Sequence, residues 1–237
     1  MSRLSVSKPI DSLLDGGLEP GCITNFYGPS ASGKTNIVHC ACISCIATGK
    51  QVAFVDTEGS FSPDRLSQIE KGSMKLHRNA STPVTDSIIF FNPKNWAEQN
   101  NDVRSLEQLC QEKNIGLIVV DSISAIWRLT INDNNYQLVN RELATQLSLM
   151  SKLARDYKIP VLITNQVYDD INSGRIELSA KNIVKWWSKN LIELMHTGQT
   201  SHRYAIIRKA RSIEENKQIE FKITSTGLDK TSGLRLF

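Results

Sequence analysis

Apolar runs of strand length, separated by longer mixed stretches, dominate the first two-thirds of the chain. CITNFYG, QVAFVD, SIIFF, IGLIVVD and IPVLITNQ follow one another at intervals long enough for a crossover helix, which is the signature of a parallel sheet covered on both faces. Three further runs, NLIELM, RYAIIRK and QIEFKIT, come with short gaps and predict added strands of an antiparallel or mixed edge. Between positions 136 and 158 the apolar residues Val139, Leu143, Leu147, Met150, Ala154 and Tyr157 recur at spacings of three and four, so a long helix with one buried face is expected there. Residues 71–87, KGSMKLHRNASTPVTDS, show no clear period and carry a proline; a surface loop with a frayed helix end is expected. The expected fold class is α/β, a mostly parallel central sheet with helices on both faces and C-terminal antiparallel strands. With no internal repeat and no linker, a single domain over residues 1–237 is the expectation.

Composition narrows the picture only a little. The formal net charge of +4 is compatible with a nucleic-acid partner and equally with an ordinary soluble protein. The opening MSRLSVSKPIDSLL has no apolar core of signal-peptide length, and the apolar run IGLIVV is far too short to cross a bilayer. A cytoplasmic protein without a membrane partner is therefore expected. Cysteines stand at 22, 40, 42, 45 and 110 without a paired CxxC arrangement, which points to reduced thiols. On a helix Cys40 would point away from Cys42 and Cys45, so these residues are read as small packing groups and not as a metal site.

The chemistry begins at GPSASGKTN, residues 28–36. Glycine, four residues, then Gly-Lys-Thr describes a loop whose amides surround a phosphate before a helix N-terminus. Gly28 and Gly33 permit close backbone approach, with Pro29, Ser30, Ala31 and Ser32 forming the loop between them. Lys34 is expected to reach the β- and γ-phosphates, Thr35 to coordinate Mg²⁺, and Asn36 to open the helix. The cofactors implied are ATP and Mg²⁺.

Other strand ends add to that loop. IGLIVVDS puts Asp121 at the end of an apolar strand, where open parallel sheets bind ligands; Asp121 is read as the acidic partner of Mg²⁺, with a turn-capping Asp as the alternative. QVAFVDTEGSFSP places Glu58 just past a neighbouring strand, as a candidate general base for an attacking water, with Asp56 in a structural part. IPVLITNQV delivers Gln166 to the same rim, where an amide can sense the γ-phosphate.

These segments, together with LLDGGLEPGCITNFYGPSASGKTN, DTEGSFSPDRL, LIVVDSISAIWR and IIRKARSIEENKQIEFKIT, resemble a RecA-family recombinase core, most specifically its archaeal RadB group. The resemblance runs from about residue 12 to residue 227, in the family's order. It implies that Arg65 stacks on the adenine ring, as a guanidinium plane can, and that Arg208 and Lys209 reach the γ-phosphate of a neighbouring copy in a homo-oligomer. Solvated strand-end charges are the alternative for that pair. The resemblance also implies two DNA-binding loops, WRLTINDNNYQ (127–137) and YDDINSGRIELSAKN (168–182), with Arg128 and Arg175 as phosphate contacts. In KNIVKWWSK, Lys181, Lys185 and Lys189 stand at helical spacing beside Trp186 and Trp187, either facing DNA or forming a solvated face over one buried tryptophan.

Departures from the family pattern shape the functional expectation. Full recombinases carry an N-terminal helical DNA-binding domain and an aromatic anchor for self-assembly, and this sequence is read as having room for neither. The second loop begins with Asp169 and Asp170, which weakens a strand-exchange role. The resemblance then implies a DNA-binding, weakly hydrolysing accessory of the main recombinase, with modulation of a junction nuclease. Alternatives are a filament-forming, DNA-dependent recombinase, a clock-type signalling ATPase, and an adaptor in which nucleotide is structural. The clock-type family carries paired acidic residues at the Glu58 position, whereas Gly59 follows here.

Overall fold

The computed structural model describes residues 2–73, 83–170, 175–178 and 180–231. The first five apolar runs become β1 (Ile23–Gly28), β2 (Gln51–Asp56), β3 (Ile88–Phe91), β4 (Ile115–Asp121) and β5 (Val161–Asp170). They lie in the order β3, β2, β4, β5, β1, with every neighbouring pair parallel. β6 (Arg175–Leu178) pairs back antiparallel on β5. β7 (Asn190–His196) joins β1 in parallel, and β8 (His202–Lys209), β9 (Gln218–Thr224) and β10 (Gly227–Lys230) extend that edge antiparallel.

Strand geometry explains the continuous apolar runs of β2 and β4, since successive side chains leave opposite faces and both faces are covered, whereas β1 buries Thr24 and Asn25 and the edge strand β3 leaves Phe90 exposed. Val52, Phe54, Leu117 and Val119 pack in the core shared with α1 (Lys8–Leu13), α2 (Lys34–Ile46) and α3 (Pro63–Ser73). Ala53, Val55, Ile118 and Val120 belong to the core on the other face, with α4 (Trp96–Glu112), α5 (Ala125–Thr130), α6 (Tyr136–Tyr157) and α7 (Lys181–Trp187). Full burial of each of these Val, Leu, Ile or Phe side chains stabilises the fold by about 1.5–3 kcal/mol. Asn95 caps α4 by accepting from the Glu98 N–H at 3.0 Å, and the Glu98 carboxylate accepts from the Lys94 N–H at 2.7 Å. The first bond satisfies a donor that the helix start leaves open, and the second ties the helix to the chain that enters it.

On α6, Val139, Leu143, Leu147, Met150 and Ala154 are buried as their spacing predicts, whereas Tyr157 is 37% exposed. Tyr157 is the last helical residue, and Lys158, at φ +56°, turns the chain away behind it. The five cysteines are unpaired and buried; burial pushes the Cys40 and Cys45 thiols up to about 12, so they stay protonated packing groups. Among the described residues no helix is long and apolar enough to cross a membrane.

Two expectations about loops need correction. Residues 127–137 are not one irregular segment, because α5 runs to Thr130 and α6 begins at Tyr136; buried Ile126 and half-buried Trp127 anchor that short helix to the core. Within 168–182, β5 continues through Asp170 and β6 pairs with it, so much of the segment is a strand pair that its polar composition did not announce; residues 171–174 and 179 lie outside the described residues. Within 71–87, α3 ends at Ser73 and a 3₁₀ turn spans Val84–Ser87, while 74–82 lie outside the described residues.

Candidate nucleotide-binding site

Parallel strands that share a direction run toward the same edge, and register brings residues at or near their ends side by side. Gly28 pairs with Gln166, and Asp56 with Asp121. The loop after β1 leads into α2, whose N-cap Gly33 sits at φ +100°. A Cβ on Gly28 would lie 2.3 Å from the Leu194 carbonyl oxygen of β7, and one on Gly33 would lie 3.0 Å from Ile223 of β9. The Leu194 backbone therefore leaves no room for a side chain at Gly28, while at Gly33 the positive φ is what favours glycine.

The Lys34 ammonium donates to the carbonyl oxygens of Gly28 at 2.9 Å and Pro29 at 2.8 Å. Burial depresses its pKa, while the carboxylates of Asp121 and Glu58 oppose that shift. Ser32 Oγ is buried with no hydrogen-bond partner among the described residues, a hydroxyl that a phosphate oxygen would satisfy. Thr35 Oγ1 donates to Asp121 Oδ2 at 3.0 Å and Ser60 Oγ donates to the same oxygen at 3.2 Å, while Thr164 donates to Oδ1. Burial pushes the Asp121 carboxyl above the usual range, and the donated hydrogen bonds from Thr164, Thr35 and Ser60 pull it back. A hydroxyl beside a carboxylate is the hard oxygen set that Mg²⁺ takes. The loop amides, Lys34, Thr35 and Asp121 therefore fit Mg²⁺–triphosphate.

Asp56 spends both oxygens on backbone N–H groups, accepting from Glu58 at 3.3 Å, Ser60 at 3.1 Å and Phe61 at 3.2 Å. Its part is to shape the turn that presents Glu58. Thr57 and Ser122 bond reciprocally between the ends of β2 and β4, at 2.6 and 2.9 Å. Exposed Glu58 then accepts on Oε1 from Ser122 Oγ at 2.5 Å and from Gln166 Nε2 at 2.8 Å. Gln166 in turn accepts from Arg128 at 2.9 Å, which ties α5 to the candidate base.

The family model described as Rad51 matches residues 3–231. The chain belongs to the Rad51 family. Among curated relatives, the "DNA repair and recombination protein RadB" of Methanobrevibacter smithii is 34% identical over 231 residues, 95% of each chain. The protein of the same description from Methanococcoides burtonii is 39% identical over 226 residues, covering 95% of this chain and 96% of the relative. A solved structure described as the crystal structure of the RadB recombinase superposes with a TM-score of 0.81 at 33% identity, covering 97% of this chain and 100% of that one. The chain is thus a RadB-like member of the Rad51 family with the family's RecA-like fold, in a family of ATPases that use ATP with Mg²⁺.

Residues assigned by resemblance to the Rad51 family fall in several places. Arg65 of α3 donates to Asn36 at 2.8 Å, to Gln68 at 3.2 Å and to the carbonyls of Ser225 at 2.9 Å and Thr224 at 2.6 Å. Its edge is occupied, which fixes the plane and leaves the faces for stacking on a base. Arg208 donates to Glu193 at 2.6 Å and Asn216 at 2.8 Å, while Lys209 donates to the carbonyls of Lys185 at 2.6 Å and Ser188 at 2.8 Å, closing the end of α7. Lys209 pairs with Leu191 at the start of β7, whereas the Arg208 guanidinium reaches Glu193, whose register partner Tyr27 stands one residue before Gly28. Lys185 and Trp186 are exposed on α7, and Trp187 packs half-buried on the core. Lys189 does not share their helix: α7 stops at Trp187, and the Lys189 N–H joins the Ile23 carbonyl at 2.9 Å. The side chains of Arg175 and Lys181 lie outside the described residues.

Sequence reasoning passed over Ser60, Ser122 and Thr164. Thr164 carried a usable signal, standing two residues before Gln166 on the same strand face. It also passed over His196 and Arg203, whose contacts are made to backbone carbonyls remote in sequence.

Proposed function

We propose that this chain is an ATP-gated, DNA-binding accessory protein of homologous recombination and repair, acting in the cytoplasm beside the main recombinase and modulating branched-DNA cleavage by a junction nuclease. It is a weak ATPase and not a strand-exchange enzyme. The observation that carries this reading is the position of Gln166, hydrogen-bonded at once to Arg128 of α5 and to Glu58. Arg128 is exposed on the helix after the Asp121 strand, where a DNA phosphate can compete with Gln166 for its guanidinium.

Bound Mg²⁺–ATP supplies a γ-phosphate whose presence sets the gate and whose hydrolysis resets it. Lys34 and the loop amides hold the phosphates, Thr35 and Asp121 face the metal position, and Glu58 orients the attacking water. Ser122 and Gln166 hold Glu58 through Oε1, which leaves Oε2 as the oxygen that accepts from the attacking water. RadB-named relatives support the repair assignment.

The test is single-stranded DNA binding by Arg128→Ala combined with Lys185→Ala, measured across salt. Each lost phosphate contact is expected to reduce the slope of log K against log salt by roughly 0.7, and the difference between ATP-analogue and ADP states is expected to shrink with Arg128→Ala alone. An unchanged slope and an unchanged nucleotide dependence would return both residues to the solvated surface and remove the gate.

A further inference from the structure

The β7–β8 pair holds the phosphate loop from outside. His196 stands directly opposite Arg203 in the antiparallel register, so the two side chains leave the sheet on one face as a cross-strand pair. Both reach the tip of the same loop. His196 Nε2 lies 3.1 Å from the Ser30 carbonyl oxygen. Arg203 donates twice to the Ala31 carbonyl oxygen, from Nε at 3.0 Å and Nη2 at 2.9 Å, and its Nη1 donates to the His202 carbonyl at 2.6 Å. Neighbouring side chains on these strands are otherwise engaged, His202 Nδ1 lying 2.7 Å from Glu220 and Arg208 pairing with Glu193, while the hydrogen bonds of the Arg203 guanidinium among the described residues all go to backbone carbonyls.

The geometry of the loop gives these contacts a purpose. Within a trans peptide the carbonyl of one residue and the N–H of the next point in opposite directions. Holding the Ser30 and Ala31 carbonyls outward therefore turns the Ala31 and Ser32 amides toward the side of the loop where Lys34 lies; the Ser32 N–H donates at 3.3 Å to the Pro29 carbonyl oxygen, which also accepts from Lys34. Ala31 sits at φ +58°, a conformation that non-glycine residues adopt only where their surroundings hold them. Two donors on its carbonyl from a neighbouring strand are such a constraint.

We propose that His196 and Arg203 are positioning residues for nucleotide binding, a clasp on the carbonyls of residues 30 and 31 that keeps the phosphate loop in its anion-binding shape. This rests on the nucleotide-binding reading of the loop. Because loop amides cradle the α- and β-phosphates, slackening the clasp costs ATP and ADP alike.

The experiment is calorimetric titration of ATP and ADP, each with Mg²⁺, into the full chain and its Arg203→Ala, Arg203→Lys, His196→Ala and His196→Gln variants, with thermal unfolding in the absence of nucleotide. Arg203→Ala is expected to raise Kd for both nucleotides about tenfold, the scale of a lost charge-assisted bond, with their ratio held within about twofold. The midpoint without nucleotide is expected to stay put. Arg203→Lys and His196→Gln, which keep a donor, are expected to recover part of the loss; if Arg203→Ala does not fold, exposed His196→Ala with His196→Gln carries the comparison. Unchanged Kd values beside tight binding by the unchanged chain would overturn the clasp alone. Loss confined to ATP would also overturn it, in favour of a direct γ-phosphate contact. Failure of the unchanged chain to bind either nucleotide would overturn the nucleotide reading and the clasp with it.

Discussion

Glu58→Gln is expected to bind ATP within about twofold of the unchanged chain and to hydrolyse it at least roughly 100-fold more slowly, the lower end of what a positioned general base contributes. The expectation follows from what glutamine keeps. Its amide oxygen can still accept from Ser122 and Gln166, the two donors that fix Glu58 Oε1 at 2.5 and 2.8 Å, so the rim retains its shape. What it lacks is a carboxylate to take a proton from water. Single-turnover hydrolysis with binding measured in parallel separates the two effects. Retention of full turnover would remove Glu58 as the base; Asp56, already committed to three backbone N–H groups, would not be its natural replacement.

Lys34→Ala is expected to weaken ATP binding by roughly 100-fold or more, since a buried ammonium facing phosphate contributes on the order of 3 kcal/mol. The unliganded fold should notice little. In the free chain this cation is partly desolvated, an unfavourable state relieved by two carbonyl contacts and by the nearby carboxylates. Thermal unfolding with and without Mg²⁺–ATP reads both consequences: the midpoint without nucleotide stays within a few degrees, while the rise that bound ligand produces by mass action disappears. A nucleotide-induced rise of undiminished size in Lys34→Ala would mean that ATP is held elsewhere.

The parts of the fold legible in the sequence were those whose cause is periodic. A strand covered on both faces carries a continuous apolar run, which exposed β2 and β4, while shorter apolar runs marked β1, β3 and β5; a helix with one buried stripe must repeat at three and four, which exposed α6. The phosphate loop was legible because its function is local: glycines, a lysine and a threonine act within a few residues of one another. β6 escaped because the segment is polar and unperiodic, although it is paired backbone to backbone with β5. α5 escaped because a helix of six residues leaves too little pattern to read. Lys189 was placed on a helix by spacing alone, without a signal for where α7 stops.

The same division runs through the site. Asp121 ends β4, Glu58 follows β2 and Gln166 lies within β5, three strands that the chain order already placed near the loop. Their hydroxyl partners, Thr164, Ser60 and Ser122, are single small polar residues with no motif of their own. His196 and Arg203 are less visible still, because they recognise main-chain carbonyls, which every residue possesses. Arg65 illustrates the middle case: its identity was legible from the family pattern, while its four partners on Asn36, Gln68 and the β9–β10 turn follow only from tertiary packing.

The central claim is that the phosphate loop serves as a gate on DNA binding. ATP turnover with and without single-stranded DNA, with DNA affinity measured alongside in the presence of a non-hydrolysable ATP analogue, of ADP and of neither, tests it most directly. The account predicts slow turnover indifferent to DNA, and DNA affinity that changes between the analogue and ADP states. Turnover strongly stimulated by DNA, or DNA affinity identical in all three nucleotide states, would contradict it.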